Sequence, residues 1–216
     1  MGKLKLSVLL VAAVLLVASC APRNTTPSHT IAYFEVARAV EASATLDGEP
    51  IEVTKSGAMW LIETDAFSFA ITFTPSNIKY YPEYGKVASR SGVKQFEFSI
   101  KNKLPEQMKI IWAESSIITR DGSAKTIMHA GQKFADATTP TQPTVIPPEA
   151  RIDELALPGE NVEWVSGSWI TYPMFSRMHK GESTSLYLVL EYGGKKHALL
   201  FKLTALTDIP FGKLEE

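Results

Sequence analysis

Residues 95–129, QFEFSIKNKLPEQMKIIWAESSIITRDGSAKTIMH, decide the fold of this chain. Phe96, Phe98 and Ile100 alternate with polar residues, and an alternation with a period of two gives a β-strand one apolar face and one polar face. The pattern predicts a strand that ends at Asn102 and buries one face in a core.

The remainder of this stretch predicts a sheet meander. Leu104-Pro105 interrupts the first strand, and an apolar run resumes at Met108–Trp112. Asp121-Gly122 is a turn dipeptide between Ile117-Ile118 and Ala124–His129, so we expect these two segments to pair as a hairpin.

Similar signals predict strands elsewhere. Phe67–Phe73 shows the cleanest alternation of apolar with small or polar residues in the chain. Asp47-Gly48 and Gly193-Gly194 each separate two strand-like segments, and glycine readily adopts the positive φ of tight hairpin turns. Ile152–Leu157, which ends at Pro158-Gly159, is expected along a sheet edge.

The segment Gly131–Pro148 is rich in threonine and proline, which leaves little room for regular ladders. It is expected to form either a long crossover or an open arm. Helical periodicity is almost absent after residue 43, and parallel sheets need helical crossovers. The sequence therefore predicts an all-β fold, an antiparallel immunoglobulin-like β-sandwich over residues 29–216.

The N-terminus has the organisation of a secretory signal. A short cationic segment, Met1–Lys5, precedes the uncharged apolar run Leu6–Val17. Twelve residues at about 1.5 Å each span roughly 18 Å, less than the ~30 Å of a hydrocarbon core, which favours a signal-peptide core over a spanning helix. Residues 1–19 are predicted to be a leader that is removed.

Val17-Ala18-Ser19-Cys20 resembles the bacterial lipobox, in which a cysteine thiolate takes the lipid and becomes the first mature residue. Cys20 is the only cysteine of the chain, so it has no internal disulfide partner. Lipidation at Cys20 is predicted, with residues 20–28 as lipidated N-terminus and tether. Ala21 after the cysteine favours, by resemblance to enterobacterial lipoproteins, an outer-membrane anchor facing the periplasm.

The charge balance argues against nucleic acid as a partner. Loss of the leader lowers the basic residues from 22 to 20 against 23 acidic residues, for a net charge of about −3. A chain with no basic excess lacks the electrostatic attraction that binds phosphates.

A family resemblance covers about residues 94–160. Its elements are Phe96–Asn102, Ile110–Trp112 with Ser115-Ser116, Gly122-Ser123, and Gln142–Pro148 with Asp153 and Pro158. These segments resemble uncharacterised bacterial envelope lipoproteins with an immunoglobulin-like sandwich. The resemblance implies the fold and carries over no catalytic residue.

Catalytic and metal-binding patterns are not evident. The four histidines, His29, His129, His179 and His197, have no partner at metal-ligand spacing, so no metal or cofactor is predicted. Ser166–Ser168 lacks the G-x-S-x-G pattern, and Glu160 and Glu163 would point to opposite faces of a strand. His129, close in sequence to Asp136, is expected to be a satisfied strand-end histidine, and the chain is not expected to be an enzyme.

Aromatic residues are the better binding candidates. They are Tyr80, Tyr81 and Tyr84 in one loop, and Trp164, Trp169, Tyr172 and Phe175 in another segment. Flat rings stack on sugars and peptides, but they also close the ends of β-sandwiches with their polar tips outward. The sequence favours this second role.

The expected function is a lipid-anchored, non-catalytic interaction or assembly module of the cell envelope with a protein partner. The alternative is a glycan- or peptide-binding lipoprotein that uses the surface aromatic residues. The sequence leaves the oligomeric state open.

Overall fold

The computed structural model describes residues 39–76, 92–139, 141–174, 177–207 and 209–210. The chain divides into two units, residues 1–31 and 32–216, and all described residues belong to the second unit. The predicted leader, Cys20, the tether and Tyr80, Tyr81, Tyr84 and Phe175 lie outside the described residues. Within the described residues, no helix has the length and apolar character needed to cross a bilayer.

The described residues form short antiparallel strands and three single-turn 3₁₀ helices. The strands are β1 Val40–Leu46, β2 Glu49–Ile51, β3 Thr54–Ser56, β4 Met59–Glu63, β5 Phe67–Ser76, β6 Gly92–Asn102, β7 Met108–Ile110, β8 Ser116–Ile118, β9 Ala124–His129, β10 Thr144–Ile146, β11 Arg151–Pro158, β12 Val162–Val165, β13 Ser168–Thr171, β14 Arg177–Met178, β15 Ser183–Tyr192, β16 Lys195–Ala205 and β17 Ile209–Pro210. The 3₁₀ helices are Trp112–Glu114, Phe134–Asp136 and Gly159–Asn161.

Thirteen of these strands belong to one sheet, and the pairings are antiparallel. Its order is β2-β1-β16-β15-β8-β9-β11-β6-β5-β4-β3, with β7 on β15 and β10 on β7. Two further pairs, β12-β13 and β14-β17, stand outside it. The all-β, antiparallel prediction is confirmed.

The predicted hairpins form where the turn dipeptides stand. β1 pairs with β2 around Asp47 and Gly48, whose φ angles of 54° and 87° suit the tight turn of a two-residue hairpin. β15 pairs with β16 around Gly193-Gly194, and β8 pairs with β9 around the Asp121-Gly122 turn. The local turn chemistry therefore sets three of the strand pairings.

The core joins the two ends of the large sheet. Phe201 of β16 lies 6.1 Å from Trp60 of β4 and 6.5 Å from Phe96 of β6, measured between ring centroids. Phe98 of β6 lies 6.5 Å from Trp112, which follows β7. The half with β1, β7, β8, β10, β15 and β16 thus packs against the half with β4, β5, β6 and β11 in one buried cluster.

The meander prediction is wrong at its first step. β6 ends at Asn102 as predicted, but its neighbours are β5 and β11, whereas β7 pairs with β15 and β10 in the other half. The chain therefore crosses between the halves at residues 103–107. Adjacent apolar runs can pair or can pack face to face, and the alternation pattern is the same in both cases.

Two further expectations are met in part. Ile152–Leu157 lies in β11, where residues 151–156 pair with β6 and only residues 156–158 pair with β9. Among the described residues, Ile152–Leu155 therefore have a ladder partner on one side only, and the expected sheet edge is found there but not at Ala156. Thr144–Ile146 forms the short strand β10 on β7, with Ile146 fully buried. The Thr- and Pro-rich segment therefore contains a ladder and is a crossover that docks on its own domain.

The Asn102 side chain holds this crossover in place. It is fully buried, and its Nδ2 donates to the carbonyl oxygens of Glu106 at 2.7 Å, Pro147 at 3.1 Å and Ile146 at 3.2 Å. Its Oδ1 accepts from the Leu104 N–H at 2.9 Å. One amide group therefore ties the end of β6 to the next turn and to the end of β10.

Asn102→Ala is expected to lower the free energy of unfolding by about 3 kcal/mol, because it leaves buried carbonyl and N–H groups without partners. Urea denaturation measures the change. Lys101→Ala, on the exposed face of the same strand, is the matched control and should change the free energy by less than about 0.5 kcal/mol. Equal effects of the two substitutions would contradict this role of Asn102.

Candidate functional site

An exposed aromatic cluster stands on the β12-β13 hairpin. Ser166 and Gly167 make the turn with φ angles of 49° and 83°, and Trp164 pairs directly with Trp169 across the ladder. Directly opposed residues share one face, so the indoles meet edge to face with centroids 5.3 Å apart. Phe134 joins them at 5.9 Å from Trp169. We call these three residues the aromatic cluster.

The cluster faces solvent. Trp164 is 59% exposed, Trp169 40% and Phe134 43%. The expectation that these tryptophans plug the end of a core is therefore wrong. The tryptophans that are buried in the core are Trp60 and Trp112, which are each 2% exposed. Contiguous exposed aromatic surface on a folded domain marks an interaction site more often than chance.

The hairpin base is fixed to the domain. Asn161 accepts a hydrogen bond from the Tyr172 N–H at 2.8 Å and donates to the Pro173 carbonyl at 3.0 Å. The Met174 N–H donates to the Val93 carbonyl of β6 at 2.7 Å. Tyr172 itself is 42% exposed just after β13. Of the predicted binding residues, the structure brings together Trp164 and Trp169.

A second anchor is a close backbone approach. A Cβ atom placed on Gly159 would lie 2.0 Å from the Ala137 carbonyl oxygen, so only glycine fits there. Ala137 also packs with Met128 and Leu157 in a small separate core. Residues 131–139, which carry Phe134, are thereby held against the start of the hairpin.

A groove runs across the outward face of β4, β5, β6 and β11. The strand register aligns Leu61, Ala70, Ser99 and Asp153 in one row. The next row contains Thr72, Glu97 and Leu155. These residues line a groove of about 650 Å³. They alternate along each strand with the residues that fill the core, so the pattern that builds the core also builds this face.

The groove leads towards the aromatic cluster. A neighbouring cavity of about 290 Å³ shares Ala130 and Leu155 with it and is also lined by Phe134 and Thr171. Phe134 therefore belongs to both the cavity wall and the aromatic cluster. We call the two spaces together the outer groove.

A buried polar pair lies beneath this region. Glu154 is opposite Phe98 in the β6-β11 ladder and thus occupies a core-facing position. Its carboxylate lies 3.9 Å from Nδ1 of His129, with side chains 9% and 10% exposed respectively. His129 stacks on Trp112 with centroids 4.2 Å apart, and its Nε2 contacts the Thr141 hydroxyl.

Burial shifts the pKa of both members of this pair away from the charged form. It lowers the pKa of His129 below its ordinary 6.5 and raises the pKa of Glu154 above its ordinary 4.5, against an opposing hydrogen bond from the Ala130 N–H. Among the described residues, the buried Nδ1 of His129 has no hydrogen-bond partner. His129 ends β9 as predicted, but its ring is not fully satisfied, and the carboxylate that faces it is Glu154, not Asp136.

Sequence reasoning missed Glu154 and the outer groove. The only signal for Glu154 was a charged residue at an apolar position of the Ile152–Ala156 alternation. The groove depends on cross-strand register, which no local pattern encodes. In the described part of the chain, no group of three or more metal-ligating side chains comes together.

Comparison with known proteins found no related protein. No family model matches the chain, and neither a curated protein nor a solved structure is significantly similar to it.

Glu154→Gln is expected to stabilise the domain increasingly as pH rises. Because the folded-state pKa of Glu154 is raised, its stability contribution is present below pH 4.5 and is lost as pH rises through that pKa. Denaturation of both proteins between about pH 4 and about pH 8 measures the difference. Exposed Glu160→Gln is the control and should show no such trend.

The contribution of His129 to stability depends on pH in the opposite direction. Its lowered folded-state pKa means that its contribution is present above pH 6.5 and is lost as pH falls through the folded value. The Glu154→Gln variant should still lose stability at acid pH, because it retains His129. A variant that follows the wild-type pH profile throughout would contradict the burial of the pair.

Proposed function

We propose that this protein is a lipid-anchored, non-catalytic interaction module of the cell envelope that contacts its partner through the aromatic cluster. The observation that carries the proposal is the exposed Trp164-Trp169 pair on an anchored hairpin. Two large apolar rings exposed to water carry an unfavourable hydration free energy, which a bound partner would remove. Rings held in position also lose little entropy on binding.

The strand order supports an immunoglobulin-like sandwich as the frame of this module. β5, β6, β11 and β9 are consecutive neighbours, in the order of strands A, B, E and D of that fold. β7 and β8 both pair with β15, and β15 pairs with β16. This is the order of strands C, F and G when β7 and β8 are taken together as strand C. Trp112, between β7 and β8, corresponds to the buried tryptophan of strand C, although the single cysteine excludes the usual internal disulfide.

The lipid anchor and outer-membrane location are proposed from residues 1–28. The apolar run before Cys20 and the small residues Ala18 and Ser19 support processing as a lipoprotein. Several acyl chains would hold the protein on a bilayer, whereas one chain binds only marginally.

The outer groove favours a second candidate function, a glycan- or peptide-binding lipoprotein. A groove that ends at exposed aromatic rings can hold an extended ligand, whereas a protein partner needs only the raised hairpin. Crosslinking of the full-length protein in intact cells, followed by identification of co-purified material, separates the two. Loss of a defined protein partner in Trp169→Ala would support the interaction module.

Trp169→Ala is expected to abolish partner retention and to leave the melting temperature within about 2 °C of wild type, because the exposed ring contributes little to folding. Trp112→Ala is the matched control within the core and should lower the free energy of unfolding by about 3–5 kcal/mol. Co-purification and thermal denaturation are the two measurements. Retention unchanged in a folded Trp169→Ala protein would refute the role of the cluster.

Cys20→Ser is expected to release the protein from the membrane fraction, since serine cannot form the thioether to lipid. Mass spectrometry of the N-terminal peptide should show acyl groups on the wild type and none on the variant. An unmodified wild-type Cys20 would overturn the anchor.

A further inference from the structure

One edge of β11 is open over most of its length. Arg151–Ala156 pair with β6, whereas only Ala156–Pro158 pair with β9. The first N–H after β9, that of Ala130, donates to the Glu154 carboxylate at 3.2 Å and does not continue the ladder. Among the described residues, Arg151–Leu155 therefore have no strand on the side away from β6. We call this side of these five residues the open edge of β11.

The register shows which backbone groups face the open edge. In an antiparallel ladder, directly opposed residues alternate between pairs that exchange hydrogen bonds and pairs that do not. The Asn102 N–H donates to the Ala150 carbonyl at 2.9 Å, so the bonded pairs of β6 and β11 fall on Ala150 and on every second residue after it. The N–H and carbonyl groups of Arg151 and Asp153 therefore point away from β6, towards the open edge.

These backbone groups match an extended polypeptide. Arg151 and Asp153 are two residues apart, which is about 6.8 Å along a strand. A second strand presents its own N–H and carbonyl groups with the same repeat, so each side can donate to and accept from the other. Addition of a strand to an exposed edge is a general mode of peptide binding, in which main-chain hydrogen bonds supply affinity and side-chain contacts supply specificity.

The two terminal strands of the large sheet are less suited to strand addition. β2 carries Pro50 and β3 carries Lys55, and proline and lysine are residues that proteins place on edge strands to prevent pairing. The open edge of β11 contains neither residue type. Its half-buried Ile152 packs against the core, which holds the strand in position for a ligand.

The charges around the open edge select a basic peptide. The Asp153 side chain is 74% exposed, and Glu97 lies on the same outward face, diagonal to it across the β6-β11 ladder. Glu154 is a third carboxyl group at this edge, and Arg151 is the single basic residue among those that line the groove here. Directly opposed residues share a face, so a lysine or arginine opposite Asp153 would be attracted and an acidic residue would be repelled.

We infer that the open edge of β11 binds an extended basic peptide as an added antiparallel strand, with a lysine or arginine opposite Asp153. The inference goes beyond the proposed function, because this surface lies on β11 and does not use the aromatic cluster. It assigns a second binding site and the chemical class of its ligand.

Binding of short capped peptides to the purified full-length protein in detergent, measured by fluorescence anisotropy, tests the inference. The probe alternates lysine with valine, and its counterpart carries glutamate in place of lysine. A lysine opposite Asp153 turns its own N–H towards β11, so N-methyl groups on the lysines should abolish binding. N-methyl groups on the valines, whose N–H groups point away from β11, should leave binding unchanged. The glutamate peptide should bind about tenfold more weakly or worse.

Two variants of Asp153 separate its N–H from its charge. Asp153→Pro removes the outward N–H and keeps the ladder bonds to β6, since proline is tolerated where the N–H faces away from a sheet. It should weaken binding of the lysine peptide about tenfold or more relative to Asp153→Asn. Asp153→Asn should reduce the preference for lysine over glutamate. Glu41→Gln, at an exposed position of β1, is the matched control and should bind as wild type.

Binding of the lysine peptide that is lost on N-methylation of its lysines and weakened by Asp153→Pro supports the inference. If Asp153→Pro does not fold, the N-methylated peptides on the wild type decide the question. The absence of binding, equal binding of the glutamate peptide, or unchanged binding after N-methylation of the lysines overturns the inference. Self-association that Asp153→Pro abolishes would assign the edge to a second copy of this chain and would also overturn it.

The same measurements keep the two proposals apart. Trp169→Ala should bind the lysine peptide as wild type does, because the ring lies outside the open edge. Loss of the envelope partner in Trp169→Ala with no peptide binding in the wild type refutes the inference and leaves the proposed function standing. Peptide binding that depends on Asp153, with the envelope partner retained in Trp169→Ala, supports the inference and refutes the role of the aromatic cluster.

Discussion

The contact of Phe201 with Trp60 and Phe96 is the constraint on which the rest of this structure depends. It joins strands that are distant in the chain and closes the two halves of one long sheet over a common core. Burial of aromatic and aliphatic side chains, at about 25 cal/mol per Å² of apolar area, has to stabilise this arrangement, because the single cysteine cannot form an internal disulfide.

This packing also fixes what the outer face presents. Side chains alternate strictly along a strand, so a one-residue slip in β6 would expose Phe98 and bury Ser99. The core thus locks the register of β4, β5, β6 and β11, and the outer groove follows from it. Glu154 is the exception, since it places a carboxylate on the core face beside His129. A buried, incompletely paired polar couple costs stability, and burial shifts the pKa of each group away from its charged form.

The proposed binding surface consists of elements that the fold holds rigidly. The β12-β13 hairpin is fixed by Asn161 and by the bond from Met174 to Val93, and the segment that carries Phe134 is held by the close approach of Ala137 to Gly159. Binding groups that are already in position lose less entropy when a ligand arrives. The aromatic cluster and the outer groove can therefore act together on one extended ligand, or the cluster alone can dock on a protein.

The sequence by itself determined the elements whose signals are local. The alternation in Phe67–Phe73 and Phe96–Ile100 predicted two strands and their buried faces, and Asp47-Gly48 and Gly193-Gly194 predicted hairpins, because side-chain period and turn geometry depend on neighbouring residues. Trp164 and Trp169 were also recognisable as binding candidates from residue type.

Only the tertiary structure decided which strands became neighbours and which aromatic rings reached solvent. β6 and β7 lie in different halves, β11 pairs with β9 only through Ala156–Pro158, and Thr144–Ile146 forms a ladder within a proline-rich segment. The exposure of Trp169, the burial of Trp112 and the approach of Glu154 to His129 have the same origin. The physical reason is that long-range pairing and burial are set by the free energy of the whole core, to which each local pattern contributes only a part.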